Sequence, residues 1–124
     1  MLALILGGSA SGKSAFAESV TVKLGEKRLY AATMQPFDEE CLRRIGRHRE
    51  MRKEKGFDTW EIYRGMKDAA IPEGYDAVLL ECLSNLLANE MYGPEGWEKG
   101  DLVSRILAGI DKLRESAGNL VIVS

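Results

Sequence analysis

The chain has 124 residues, 45% of them hydrophobic and 29% charged, with a formal net charge of −2. That is one domain's length with enough apolar residues for a core, which excludes an unstructured chain and gives no overall charge bias toward nucleic acid. No apolar run approaches the ~18 residues of a membrane span, Met1–Leu6 is short and lacks the basic flank of a secretory leader, and Cys41 and Cys82 make no disulfide framework, so a cytoplasmic protein is expected.

Leu2–Leu6 is a continuous apolar run, as in a strand buried on both faces. A Gly/Ser/Ala turn follows, then a helical pattern with Phe16, Ala17, Val20 and Leu24 on one side, stopped by Gly25. Arg28–Thr33 reads as a second strand, Asp38–Lys55 as a charged helix after Pro36, and Thr59–Tyr63 as a third strand. A short helix is expected over Met66–Ala70, a fourth strand over Tyr75–Glu81, and a helix or loop–helix over Cys82–Tyr92. Gly93–Gly100, with Trp97, reads as an exposed loop. Asp101 then caps a helix whose apolar stripe is Val103, Ile106, Leu107, Ile110 and Leu113. Gly118-Asn119 ends it, and Leu120–Ser124 is a fifth strand, interior to the sheet. Strands that alternate with helices predict an α/β fold of three layers, a mainly parallel sheet with helices on both faces.

Gly7-Gly8-Ser9-Ala10-Ser11-Gly12-Lys13-Ser14 fits G-x-x-x-x-G-K-[ST]. Glycines let successive backbone N–H groups point inward at phosphate oxygens, Lys13 adds a mobile cation, and Ser14 offers a hydroxyl to Mg²⁺. The apolar strand before and the helix after are the context this loop needs, so the sequence predicts a nucleotide-binding domain spanning 1–124. Glu81, at the end of the buried run Ala77–Leu80, is placed to reach the metal or nucleotide, with capping of the next helix as the plainer alternative. Asp76 lies at the opposite end of that strand.

Residues 43–55 hold seven Lys/Arg against two Glu, and His48 lies among them. At helical spacing Cys41, Ile45, His48 and Arg52 share one side. A lone histidine there is a plain surface residue, a general base, or a nucleophile toward phosphorus. Attack needs the neutral ring, which surrounding positive charge favours, and the same arginines balance polyphosphate charge. Nucleic-acid binding is disfavoured, because the helix has no interleaved aromatics and the rest of the chain is acidic.

Taken together, GGSASGKS at 7–14, LYAAT at 29–33, RIGRHRE at 44–50, LLECLSNLLAN at 79–89 and VIVS at 121–124 resemble the bifunctional adenosylcobinamide kinase/adenosylcobinamide-phosphate guanylyltransferase family of cobalamin biosynthesis. The resemblance covers nearly the whole chain. It implies phosphorylation of adenosylcobinamide by ATP or GTP, then transfer of GMP from GTP to the phosphate through a guanylylated histidine, here His48. It also implies triphosphate binding by the loop including Lys13, Glu81 beside metal or nucleotide, and a homotrimer. Arg47 stands where a second histidine is often found. The family continues beyond VIVS, so a further C-terminal portion is expected. Other readings of the same motifs are a small-molecule kinase without a covalent step and a GTP-binding fragment without turnover.

Overall fold

The computed structural model describes residues 1–7, 12–35, 38–92 and 102–124. Five strands, β1 (Leu2–Ile5), β2 (Arg28–Ala32), β3 (Phe57–Glu61), β4 (Ala77–Glu81) and β5 (Leu120–Val123), form one sheet in the order β1-β5-β4-β2-β3. Every pairing is parallel. Four helices, α1 (Lys13–Leu24), α2 (Glu39–Glu54), α3 (Leu83–Met91) and α4 (Leu102–Ala117), complete the described elements.

Alternation along the strands divides the core in two. Leu29, Ala31, Val78, Leu80, Leu120 and Ile122 face one way and pack with Leu86 of α3 and Ile106, Ile110 and Leu113 of α4. Tyr30, Phe57, Leu79, Val121 and Val123 face the other way, against Ala17, Val20 and Leu24 of α1. The predicted α/β fold with helices on both faces is what forms. β4 and β5 are central and almost wholly apolar because helices cover them on both sides.

β1 departs from expectation. It is an edge strand, and Leu2 and Leu4 are 47% and 56% exposed, because only Ala3 and Ile5 meet the helix-covered face. Phe16 is likewise exposed, and the buried side of α1 runs through Ala17 and Thr21. In α4 the buried stripe is Ile106, Ile110 and Leu113, whereas Val103 and Leu107 face solvent. Apolar residues one step off the central stripe of a helix are buried only if a neighbour reaches them.

β3 begins two residues before the predicted strand. Helix α2 closes at Lys55, Gly56 turns the chain at φ 83°, and Phe57 drops directly into the core opposite Arg28. Met66–Ala70 forms single turns, with Asp68 N–H donating to the Gly65 carbonyl and Ala69 N–H to that of Met66, and not the predicted helix. So short a segment cannot recover the cost of helix nucleation. Lys112 Nζ takes up the carbonyls of Lys67 and Ala69 there, at 3.2 and 2.5 Å. Trp97 with its loop, and Asp101 with its cap, lie outside the described residues.

Asp38 caps α2, accepting from the Cys41 N–H at 2.7 Å. The Cys41 hydrogen bonds hold its carboxyl below the usual range, so the cap persists above the ordinary carboxylate pKa and is lost as pH falls through the lowered value. Asp76 is structural: its Oδ2 accepts the Glu26 and Lys27 N–H groups at 3.2 and 3.1 Å, tying the start of β4 to the turn after α1. A Cβ at Gly25 would stand 2.3 Å from that of Asp76. Gly25→Ala is therefore expected to cost about 1–3 kcal/mol of stability through overpacking, read as a lower urea midpoint. A midpoint equal to wild type would mean that the turn relaxes freely.

Candidate functional site

In a parallel sheet the carboxyl ends of the strands share one rim, and ligands bind in the crevice outside it. Here the rim gathers the end of β1, the start of α1, the end of β4 and the inner side of α2. Gly7 follows β1, and its carbonyl accepts from Lys13 Nζ at 2.7 Å. The same ammonium donates to the Ser124 carbonyl at 3.0 Å, across the end of β5. Gly12 caps α1 with φ 76°, a left-handed conformation that glycine adopts without strain. Gly12 itself offers no side chain to cap this helix end, and a helix N-terminus with its dipole favours an anion. Gly8, Ser9, Ala10 and Ser11 lie outside the described residues.

Lys13, Ser14, His48 and Glu81 all line one cavity of about 430 Å³. Four residues predicted from three separate stretches of sequence thus share a space of the size that holds one small molecule. His48 is exposed toward it from α2, and Arg44 and Arg52, one turn before and one turn after, line the same cavity. Cys41 and Ile45 are half-buried, so the expected shared side of α2 does face the protein.

Sequence reasoning placed Arg52 on that side, among the arginines expected to balance polyphosphate charge, and it gave Tyr30 no role. Arg52 is buried, and its guanidinium lies over the Tyr30 ring at 3.5 Å from the centroid. Burial, and then the charge of Glu81, push the Tyr30 hydroxyl well above the ordinary phenol range; a hydrogen bond toward the Glu81 carboxylate adds to this. The signal was in the alternation of β2: Tyr30 is the large polar-tipped residue on the strand face that looks toward α1 and α2. Glu61 also lines the cavity and pairs with Arg49, and Asn85 of α3 completes the wall.

Two polar atoms here are buried with no hydrogen-bond partner among the described residues, Arg52 Nε and Glu81 Oε1. An unpaired buried polar atom costs about 1–3 kcal/mol, which a bound ligand relieves. A hydroxyl and a carboxylate also suit Mg²⁺, which is usually held by one or two protein groups with substrate phosphates supplying the rest. Ser14 and Glu81 fit that pattern, and no cluster of three or more His, Cys, Asp or Glu able to form an all-protein metal cage occurs among the described residues.

The end of β4 is held by Thr33, which is fully buried. Its Oγ1 accepts the Cys82 N–H at 2.8 Å and lies 2.9 and 3.1 Å from the carbonyls of Cys82 and Glu81. Thr33→Val leaves the Cys82 N–H without a partner, while the Glu81 and Cys82 carbonyls keep the Thr33 and Leu86 N–H groups, and it is expected to cost about 1–3 kcal/mol. Thr33→Ser is expected to retain most of that stability, and equal thermal midpoints for the two variants would remove the hydroxyl from this role.

A second groove of about 500 Å³ runs along β3, between Arg49, Lys53 and Trp60, and contains neither His48 nor Lys13. No helix is long and apolar enough to cross a membrane among the described residues.

Residues 3–124 match the family described as cobinamide kinase / cobinamide phosphate guanyltransferase. The chain is 33% identical over 121 residues to the bifunctional adenosylcobalamin biosynthesis protein CobU of Escherichia coli K12, covering 91% of this chain and 66% of that protein. It is 34% identical over 107 residues to the protein of the same name from Salmonella typhimurium LT2, covering 79% of this chain and 58% of that one. The matched stretch thus spans less than two thirds of either relative. With the match running from β1 to the last residue, the chain belongs to the cobinamide kinase / cobinamide phosphate guanyltransferase family.

Proposed function

We propose that this chain forms a nucleotide-binding domain that phosphorylates adenosylcobinamide with ATP or GTP and transfers GMP from GTP to adenosylcobinamide phosphate through His48. The observation that carries this reading is the shared cavity of His48, Lys13 and Ser14. A phosphate-binding helix end and a nucleophilic imidazole facing one space suit attack on a bound triphosphate.

In the guanylyl step the His48 imidazole attacks the α-phosphorus of GTP. A P–N bond forms as the bond to pyrophosphate breaks, and Lys13 with the N-terminus of α1 takes the charge of the leaving group. A phosphate oxygen of the acceptor then attacks the same phosphorus, the P–N bond breaks, and the imidazole is regenerated. Splitting one displacement into two keeps the driving force of the anhydride in the protein-bound intermediate. Arg44 and Arg52 offset the charge of the phosphates. Ser14 and Glu81 would hold Mg²⁺, which when bound neutralises charge on the phosphate oxygens.

The reading also proposes a cytoplasmic homotrimer without nucleic-acid partners. Both relatives are longer than the matched stretch, and the exposed Leu2 and Leu4 of β1, beside a free strand edge, are a surface on which additional polypeptide would pack. The direct test is a turnover assay with GTP and cobinamide phosphate, with intact-mass detection of the protein. Turnover with an adduct supports the reading; nucleotide binding with neither reduces the chain to a GTP-binding fragment.

A further inference from the structure

Arg52 is a buried cation with an unusual set of neighbours. It forms no ion pair among the described residues, and its closest partner is the face of an aromatic ring. Such a contact fixes the plane of a guanidinium and leaves its N–H edge uncommitted. On the same face of the sheet, the neighbouring carboxylate of Glu81 has one buried oxygen without a partner among the described residues. The strand register accounts for this. Tyr30 pairs with Leu79 and Ala32 with Glu81, so Tyr30 and Glu81 are diagonal neighbours on one face of the sheet. A core position there requires only an apolar ring; a buried hydroxyl beside a buried carboxylate adds a desolvation cost that packing does not explain.

We propose that Tyr30 is the positioning residue of this site, its ring orienting the Arg52 guanidinium and its hydroxyl orienting the Glu81 carboxylate, so that one cation and one anion meet the nucleotide from fixed points. The two functions belong to different atoms and are separable. The ring acts on the phosphate side, through Arg52. The hydroxyl acts on the metal side, through Glu81. The inference rests on the functional reading above, in which both residues face the triphosphate and its Mg²⁺.

The test is equilibrium binding of GTP, measured by titration with and without Mg²⁺ on wild type, Tyr30→Phe, Tyr30→Leu, Arg52→Met and the double variant Tyr30→Leu/Arg52→Met. Circular dichroism at the titration temperature confirms that each is folded. Tyr30→Leu is expected to weaken GTP binding roughly tenfold without Mg²⁺. It should add nothing further in the Arg52→Met background, because it acts through that residue. Tyr30→Phe keeps the ring, so its affinity without Mg²⁺ should stay within about twofold of wild type, while the Mg²⁺ concentration for half-maximal enhancement of binding rises severalfold.

A merely structural role predicts additive losses in the double variant and no change in Mg²⁺ dependence, and either result overturns the proposal. So does unchanged affinity in folded Tyr30→Leu. Should wild type show no saturable GTP binding, the functional reading itself fails, and this inference fails with it.

Discussion

His48→Ala is expected to abolish the protein adduct formed on incubation with labelled GTP. In wild type that adduct should be stable to base and labile to acid, as a phosphoramidate is and a phosphoester is not. The expectation rests on three features of the site. The side chain is exposed into the cavity. It is the chain's single histidine, so no second imidazole substitutes for it. Arg44 and Arg52 line the same cavity from the same helix side, where under this reading they would stabilise charge on the phosphates. The loss should be complete by intact mass, since a residual fraction has no other histidine on which to form. NTP-dependent phosphorylation of cobinamide should survive, because that transfer needs the phosphate loop and no covalent step. An adduct that persists in His48→Ala would remove the role assigned here. Loss of both activities in a folded variant would place His48 in nucleotide binding instead.

Lys13→Ala is expected to weaken triphosphate binding by about 10- to 100-fold, the effect of losing a charge-assisted hydrogen bond of about 1.5–3 kcal/mol. In the structure the ammonium bridges the carbonyls of Gly7 and Ser124 at the ends of β1 and β5. It is therefore already localised at the rim where the phosphates would lie. Both reactions should suffer together, because both draw on the same loop. Calorimetric titration with GTP on the folded variant provides the check. Affinity within threefold of wild type would mean that the carbonyl bridge, and not a nucleotide, is the function of Lys13. A Lys13→Arg control keeps the charge but changes the donor geometry, and it should recover only part of the binding.

Much of the architecture was legible because its signals are local. Ala77–Leu80 and Leu120–Val123 are unbroken apolar runs, and they form two of the three interior strands. Gly25 marks the end of α1 where the structure has it, and the charged helix expected over Asp38–Lys55 forms as Glu39–Glu54, with Asp38 as its cap. The phosphate loop is a motif of fixed spacing, and Lys13 and Ser14 open α1 as that spacing requires. Leu2–Leu6 misled because an apolar run looks the same at the edge of a sheet as at its centre; strand order depends on pairings between residues far apart in the chain. Phe16, Val103 and Leu107 misled for a related reason: an apolar stripe marks what can be buried, and the position of the neighbouring elements decides what is.

The candidate site divides along the same line. By itself the sequence determined the chemistry available: a loop suited to phosphate, one imidazole in a basic helix, and a carboxylate after a buried strand. Each follows from residue type and near-neighbour spacing. Only the tertiary structure decided that these groups share one cavity, that Arg52 is buried over the Tyr30 ring, and that Tyr30 and Glu81 are neighbours on one sheet face. The physical reason is the parallel sheet. Its register aligns the carboxyl ends of β1, β5, β4 and β2 on one rim, and it brings the Lys13 ammonium to the carbonyl of Ser124, 111 residues away in sequence.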